Sequence, residues 1–172
     1  LIRSGSAEIV LVVHAQKFSS FSQEEQINFF AKAGSDPEWE IPYGVNYNAL
    51  AGMVAHRYMY DTGTTIRQIA AVCVSLRKWA MLQPNSMFGR KGELTIDAVM
   101  NSPVVSSPLT AFMCNVLADG GSAFIITSAE RARRITNTPV YILGEGSRFS
   151  HRNLTKCKDL SQMSFWGEAA KE

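Results

Sequence analysis

Residues 94–132, LTIDAVMNSPVVSSPLTAFMCNVLADGGSAFIITSAERA, decide how this chain is read. Thr95 with Asp97 shortly after it opens a short helix, because a threonine oxygen satisfies a free amide and an early carboxylate faces the positive helix end. That helix stops before Pro103, since the residue preceding a proline avoids helical dihedrals. A turn follows at Ser107-Pro108-Leu109 and another at Asp119-Gly120-Gly121. The run at 123–127, AFIIT, reads as a buried strand, and Ser128 caps the helix that follows, with Glu130 in its first turn.

Working outward, residues 139–143 read as a further strand ending in Gly144-Glu145-Gly146, and residues 8–14, EIVLVVH, as a strand buried on both faces. Ser22 and Glu25 have the spacing of a capping box, and the helix they open should end near Gly34. Asp36-Pro37 and Ile41-Pro42 mark an irregular connection. Tyr47, Ala51, Val54 and Tyr58 fall at helical spacing, and Asp61-Thr62-Gly63 breaks that helix. Thr65 and Gln68 form a second capping box before an amphipathic helix through Ile66, Ile69, Cys73, Leu76 and Ala80, which ends at Gln83-Pro84-Asn85. Strands at both ends therefore flank a helical middle of about a hundred residues, so the expected class is α/β with a helical insertion splitting one layer. Leu1-Ile2-Arg3-Ser4-Gly5 reads as the last turn of a helix with a cation and a glycine stop, which predicts that the chain is an internal piece of a longer protein.

Composition narrows the function classes. An apolar content of 46% in 172 residues suffices for a core. The formal charge of +2, from 17 basic and 15 acidic side chains, is no nucleic-acid footprint, and the pairs Arg77-Lys78, Arg90-Lys91 and Arg133-Arg134 read as solvated helix faces. Cys73, Cys114 and Cys157 are odd in number and far apart, which argues against zinc and against a disulfide framework and makes a reducing cytoplasm the default. The IVLVV run is too short, and has too little basic charge before it, for a signal peptide. No stretch approaches the roughly 20 apolar residues of a membrane span.

The succession of elements resembles the thiolase superfamily, in the branch of lipid-transfer and sterol-carrier-protein-type thiolases that are acetyl-CoA acetyltransferase-like. Residues 2–13, IRSGSAEIVLVV, are similar to the helix end and strand that follow the nucleophile helix of that family. Residues 43–100 resemble its loop domain, through His56-Arg57-Tyr58-Met59, Gly63-Thr64-Thr65, and Arg77 to Ala80 before Gln83-Pro84. Asp119-Gly120-Gly121-Ser122-Ala123 resembles the family's Asp-Gly-Ala-Ala-Ala turn and strand, whereas residues 17–42 depart from the pattern. The implied fold is α/β and thiolase-like but incomplete, part of the N-terminal half with its helical loop domain. Residues 1–14 would supply the core helix end and strand, 15–118 the loop domain, and 119–172 the return to the core and the start of the C-terminal half.

The same resemblance implies an acyltransferase of acyl-CoA and 3-oxoacyl-CoA thioesters working through a cysteine acyl-enzyme, in lipid metabolism. It places the nucleophilic cysteine before residue 1, and the activating histidine and second cysteine after residue 172, so this chain alone is expected to be inactive. Coenzyme A enters as a thioester substrate, with no covalently bound cofactor. A retro-aldolase of steroid side-chain CoA thioesters, with a zinc-ribbon/OB-fold partner protein, and a non-catalytic remnant that binds an acyl-CoA or a partner are the other readings. A homo-oligomer, family members usually being dimers, is expected of the parent.

The candidate substrate- and CoA-binding residues are Asn115, Asp119 and Gly120. Asn115 stands where conventional thiolases carry a serine that touches coenzyme A; it keeps a donor and an acceptor but departs from the pattern. Asp119-Gly120 could cradle an anion on backbone N–H groups, or simply turn the chain into its strand. Cys114 lies nearby but has no activating base in sequence and reads as a packing residue, as does Cys73. His14, His56 and His151 read as structural, and none matches the family's activating histidine. No metal-ligand set is expected, and Gly144-x-Gly146 lacks the third glycine of a nucleotide fingerprint.

Overall fold

The structure, a computed structural model, describes residues 1–149, 151, 153, 156–161 and 164–171. The chain divides into two units. The first takes Leu1–Ser22, Leu117–Arg148 and residues 166–171; the second takes Gln23–Val116 and Phe149–Phe165.

In the first unit, strand β1 (Ile9–Gln16) pairs with β4 (Gly120–Thr127) in an antiparallel ladder running from Ile9 opposite Thr127 to Gln16 opposite Gly120. Both strands extend beyond the expected runs, by Ala15-Gln16 and by Gly120 to Ser122. Gly121 has a reason: a Cβ added there would lie 3.2 Å from the His14 carbonyl oxygen. Helix α5 (Ala129–Ile135) starts on Ser128, whose hydroxyl accepts from the Arg131 N–H. Arg131 also pairs with Glu8 at 2.5 Å, and the Thr127 hydroxyl donates to the Glu8 carbonyl at 2.9 Å, so the start of β1 and the end of β4 are tied at one place.

Three expectations fail here, the first being burial of the strand at 123–127, where Phe124 is 55% and Ile125 65% exposed. The strand at 8–14 is not buried on both faces: Leu11 and Val13 are each 63% exposed. Apolar composition reports the capacity for burial, and among the described residues no layer covers the face that carries Ile9, Leu11 and Val13. Residues 139–143 form no strand, and Val140 and Leu143 are almost fully exposed. β-Propensity describes fitness for a pleated, half-buried surface, and among the described residues no ladder receives this run. Residues 1–5 form a turn and not a helix. Gly5 N–H donates to the Ile2 carbonyl and Ser6 N–H to the Leu1 carbonyl, both at 3.0 Å, with Gly5 at φ +73°, the double bonding with which helices end.

The second unit contains α1 (Gln23–Gly34), α2 (Tyr47–Thr62), α3 (Ile66–Met81), α4 (Ile96–Met100) and a small antiparallel pair, β2 (Val104–Ser106) with β3 (Leu109–Thr110). A helix α6 (Ser164–Ala170) comes last in the chain. Starts and stops follow from side chains. Asn46 accepts from the Ala49 N–H, Thr95 accepts from the Ala98 N–H, and both halves of the Thr65–Gln68 capping box are made. Gly63, at φ +70°, ends α2 in the left-handed region. Ala31, Leu50, Ala70 and Val99 are buried. The Val99 carbonyl, at the helix end, accepts from the Ser102 N–H at 3.2 Å and from the Ser102 and Thr110 hydroxyls, both at 2.8 Å. Glu40 is buried and accepts from the Asp36 N–H at 2.7 Å, a polar anchor that no periodicity announces.

Candidate functional site

The segment that leads to the candidate residues begins with a 3-10 turn, Ala111–Met113, fixed to the α4 end: Ala111 N–H donates to the Pro103 carbonyl at 2.8 Å and Phe112 N–H to the Ser102 hydroxyl at 3.3 Å. Cys114 closes that turn through its N–H on the Ala111 carbonyl at 3.2 Å. Asn115 comes next and its side chain is exposed, as are Asp119 and Gly120. The two ends of this stretch fall in different units, Asn115 in the second and Asp119-Gly120 in the first.

Asp119 has specific partners. Ser19 N–H donates to Oδ1 at 2.8 Å and Ser19 Oγ donates to Oδ2 at 2.5 Å. The Ser19 hydroxyl, ahead of the Ser19 and Phe18 backbone amides, holds the Asp119 carboxyl below its ordinary pKa, since a carboxylate that accepts hydrogen bonds is favoured over its acid. Ser19 escaped the sequence reading. A Ser-Ser pair after a strand signals only a turn, and its acidic partner lies 100 residues away.

The thiols are not poised for attack. Burial pushes the Cys114 thiol up; burial pushes Cys73 up as well, with Cys114 as a neighbour adding to it. A nucleophilic cysteine needs the opposite shift. The Cys157 thiol donates to the Asp159 carbonyl at 3.2 Å. His14 stands in the ladder opposite Ser122, and His56 Nε2 lies 3.2 Å from Ser107 Oγ on the exposed surface. His151 is half-buried. Gly144 and Gly146 lie outside any helix or strand. Among the described residues, no group of three or more His, Cys, Asp or Glu side chains is placed to hold a metal ion, and no helix is long and apolar enough to cross a membrane.

The first unit also has an open apolar groove of about 740 Å³, lined by Phe124, Ile126, Ala132, Ile135, Val140 and Ile142. It lies between apolar side chains of β4 and α5 and the run at 139–142.

No protein-family model matches the chain. It is similar to an acetyl-CoA acetyltransferase of Methanothermobacter thermautotrophicus, 32% identical over 170 residues, which covers 99% of this chain and 43% of that protein. It is also similar to a benzoylsuccinyl-CoA thiolase subunit of Thauera aromatica, 38% identical over 116 residues, covering 67% of this chain and 29% of that one. Among solved structures, an Ltp2-ChsH2(DUF35) aldolase superposes with a TM-score of 0.80 at 28% identity, covering 99% of this chain and 44% of the other. The chain thus spans less than half the length of the relatives it matches. Over the part it spans, its fold is α/β and thiolase-like, and the chain is related to the thiolases.

Proposed function

We propose that this chain is part of a thiolase-like acyltransferase that condenses or cleaves 3-oxoacyl-CoA thioesters through a cysteine acyl-enzyme. The observation that carries the reading is the 32% identity with an acetyl-CoA acetyltransferase along nearly the whole chain. Under it, residues 15–118 are the loop domain of such an enzyme, residues 1–14 the core helix end and strand, and residues 119–172 the return to the core and the start of the C-terminal half. Asn115 orients the thioester through its side-chain amide, and Asp119 and Gly120 contribute backbone. The acyl-accepting cysteine is none of the three in this chain, since two are half-buried thiols pushed up in pKa and the third donates to a carbonyl. Coenzyme A is carried on the substrate, and the complete enzyme is a cytoplasmic homo-oligomer.

The test has two arms. The 172-residue chain should give no thiolysis of acetoacetyl-CoA, and acetyl-CoA should perturb the amide signals of residues 115–120 in a nuclear magnetic resonance titration. Thiolysis lost on Cys114→Ala would overturn the assignment of the nucleophile; an unperturbed 115–120 segment would return it to a purely structural role. A retro-aldolase acting on steroid side-chain CoA thioesters with a zinc-ribbon/OB-fold partner is the second reading, favoured by the likeness to the aldolase structure. Both readings use the same thioester contact and differ in whether an acyl-enzyme forms.

A further inference from the structure

Asp119 caps a helix turn that is 100 residues away in sequence. The 3-10 turn at Phe18–Ser20 receives no side-chain bond from Lys17, the residue in its N-cap position. Asp119 supplies what is missing, accepting from the Ser19 N–H at 2.8 Å and from the Ser19 hydroxyl at 2.5 Å. The turn is itself firm: Phe18 is buried, Phe21 N–H donates to the Phe18 carbonyl at 3.0 Å, and Ser20 Oγ donates to the Lys17 carbonyl at 2.8 Å. On its other side Asp119 leads directly into Gly120, which faces Gln16 at the end of the β1–β4 ladder. Asp119 is therefore held by its side chain and by its following residue at once. Both partners lie close to the points where the chain leaves the first unit, after Ser22, and re-enters it, at Leu117.

We infer that Ser19 and Asp119 are positioning residues whose clasp fixes the Asp119-Gly120 turn with Leu117 and Ala118 before it, the part of the first unit through which a CoA thioester is oriented. The inference rests on the acyl-CoA reading above and adds a residue, Ser19, from a part of the chain that departs from the thiolase pattern. Both Asp119 oxygens accept from Ser19, so Asp119 serves a ligand through the backbone it orients and not through its carboxylate. Ser20, whose hydroxyl donates to the neighbouring Lys17 carbonyl, has no such reach and provides the control.

The experiment uses the 172-residue chain and two readouts, amide order parameters at residues 117–121 and acetyl-CoA affinity followed at the Gly120 signals. Wild type should be rigid at 117–121, near 0.85, and Ser19→Ala should fall below about 0.6 there, while the signals of Val12 and Phe124 report an intact ladder. Acetyl-CoA affinity should drop about tenfold in Ser19→Ala, the effect of one hydrogen bond to a charged group. Ser19→Thr, which keeps the hydroxyl, should restore both, and Ser20→Ala should leave both unchanged. Unchanged order parameters in Ser19→Ala, or unchanged affinity despite loosened ones, overturns the positioning role. A wild-type chain whose 115–120 signals ignore acetyl-CoA strikes the thioester reading instead, and the order parameters then decide the clasp on their own.

Discussion

Leu11 and Ile125 stand directly opposite each other in the β1–β4 ladder, and both are about two-thirds exposed. Opposed side chains on an antiparallel pair support each other, but here they present an apolar surface to water. The groove beside β4 adds further apolar side chains open to water, Phe124 among them, to the first unit.

Self-association of the 172-residue chain is the first expected outcome. Sedimentation velocity should detect concentration-dependent oligomers, and the double change Leu11→Thr with Ile125→Thr should shift the distribution toward monomer while keeping strand propensity. A monodisperse wild-type monomer with a cooperative melt would count against this.

Gly52 is buried within α2, and a Cβ there would fall 2.7 Å from both the Ser106 hydroxyl and the Ser107 carbonyl oxygen. The hydroxyl can swing aside, whereas the carbonyl is backbone and must move with β2. Gly52→Ala should therefore destabilise the second unit by roughly 1–3 kcal/mol despite the better helix propensity of alanine. Chemical denaturation checks this; an unchanged or raised midpoint would mean that α2 and β2 separate easily.

The Asp119 carboxyl should titrate below the ordinary range for an aspartate, because the Ser19 hydroxyl and amide hold its charged form. Its pKa in the folded chain lies below that of the unfolded chain. The clasp is thus fully present above the unfolded value and is lost as pH falls through the lowered, folded one. The Ser19 amide signal should hold its position from neutral pH down through the usual carboxylate range and move only in stronger acid. Movement at an ordinary aspartate midpoint would contradict the bonding described.

The Cys73 and Cys114 thiols, both pushed up by burial, should alkylate slowly at neutral pH in the folded chain, and faster on unfolding or as pH rises. Iodoacetamide labelling followed by mass spectrometry distinguishes them from a poised nucleophile. Rapid selective labelling of Cys114 at pH 7 would reopen its assignment as a packing residue.

What could be read from sequence was what is decided within a few residues. The caps at Thr65, Thr95 and Ser128 and the stop at Gly63 appear where local chemistry places them, because each satisfies amides or dihedrals three or four positions away. Partnership over long separations was not legible. Nothing near Ser19 points to Asp119, nothing in the Trp39-Glu40-Ile41 run marks Glu40 for burial, and the apolar run at 139–143 looks like a strand whether or not a neighbouring strand receives it. The candidate residues were found through a family resemblance; their periodicity and spacing carry no signal of ligand contact.

The ladder between β1 and β4 closes over about a hundred intervening residues, and that separation orders events during synthesis. At a rate of about 5–20 residues per second, β1 leaves the ribosome roughly 5–20 seconds before its partner strand exists. The helices α1 to α4, built on short-range contacts, have ample time to form in that interval, whereas β1 waits as an apolar strand without a mate. A nascent chain of this protein therefore presents Ile9 to Val13 as an unpaired apolar strand until β4 emerges.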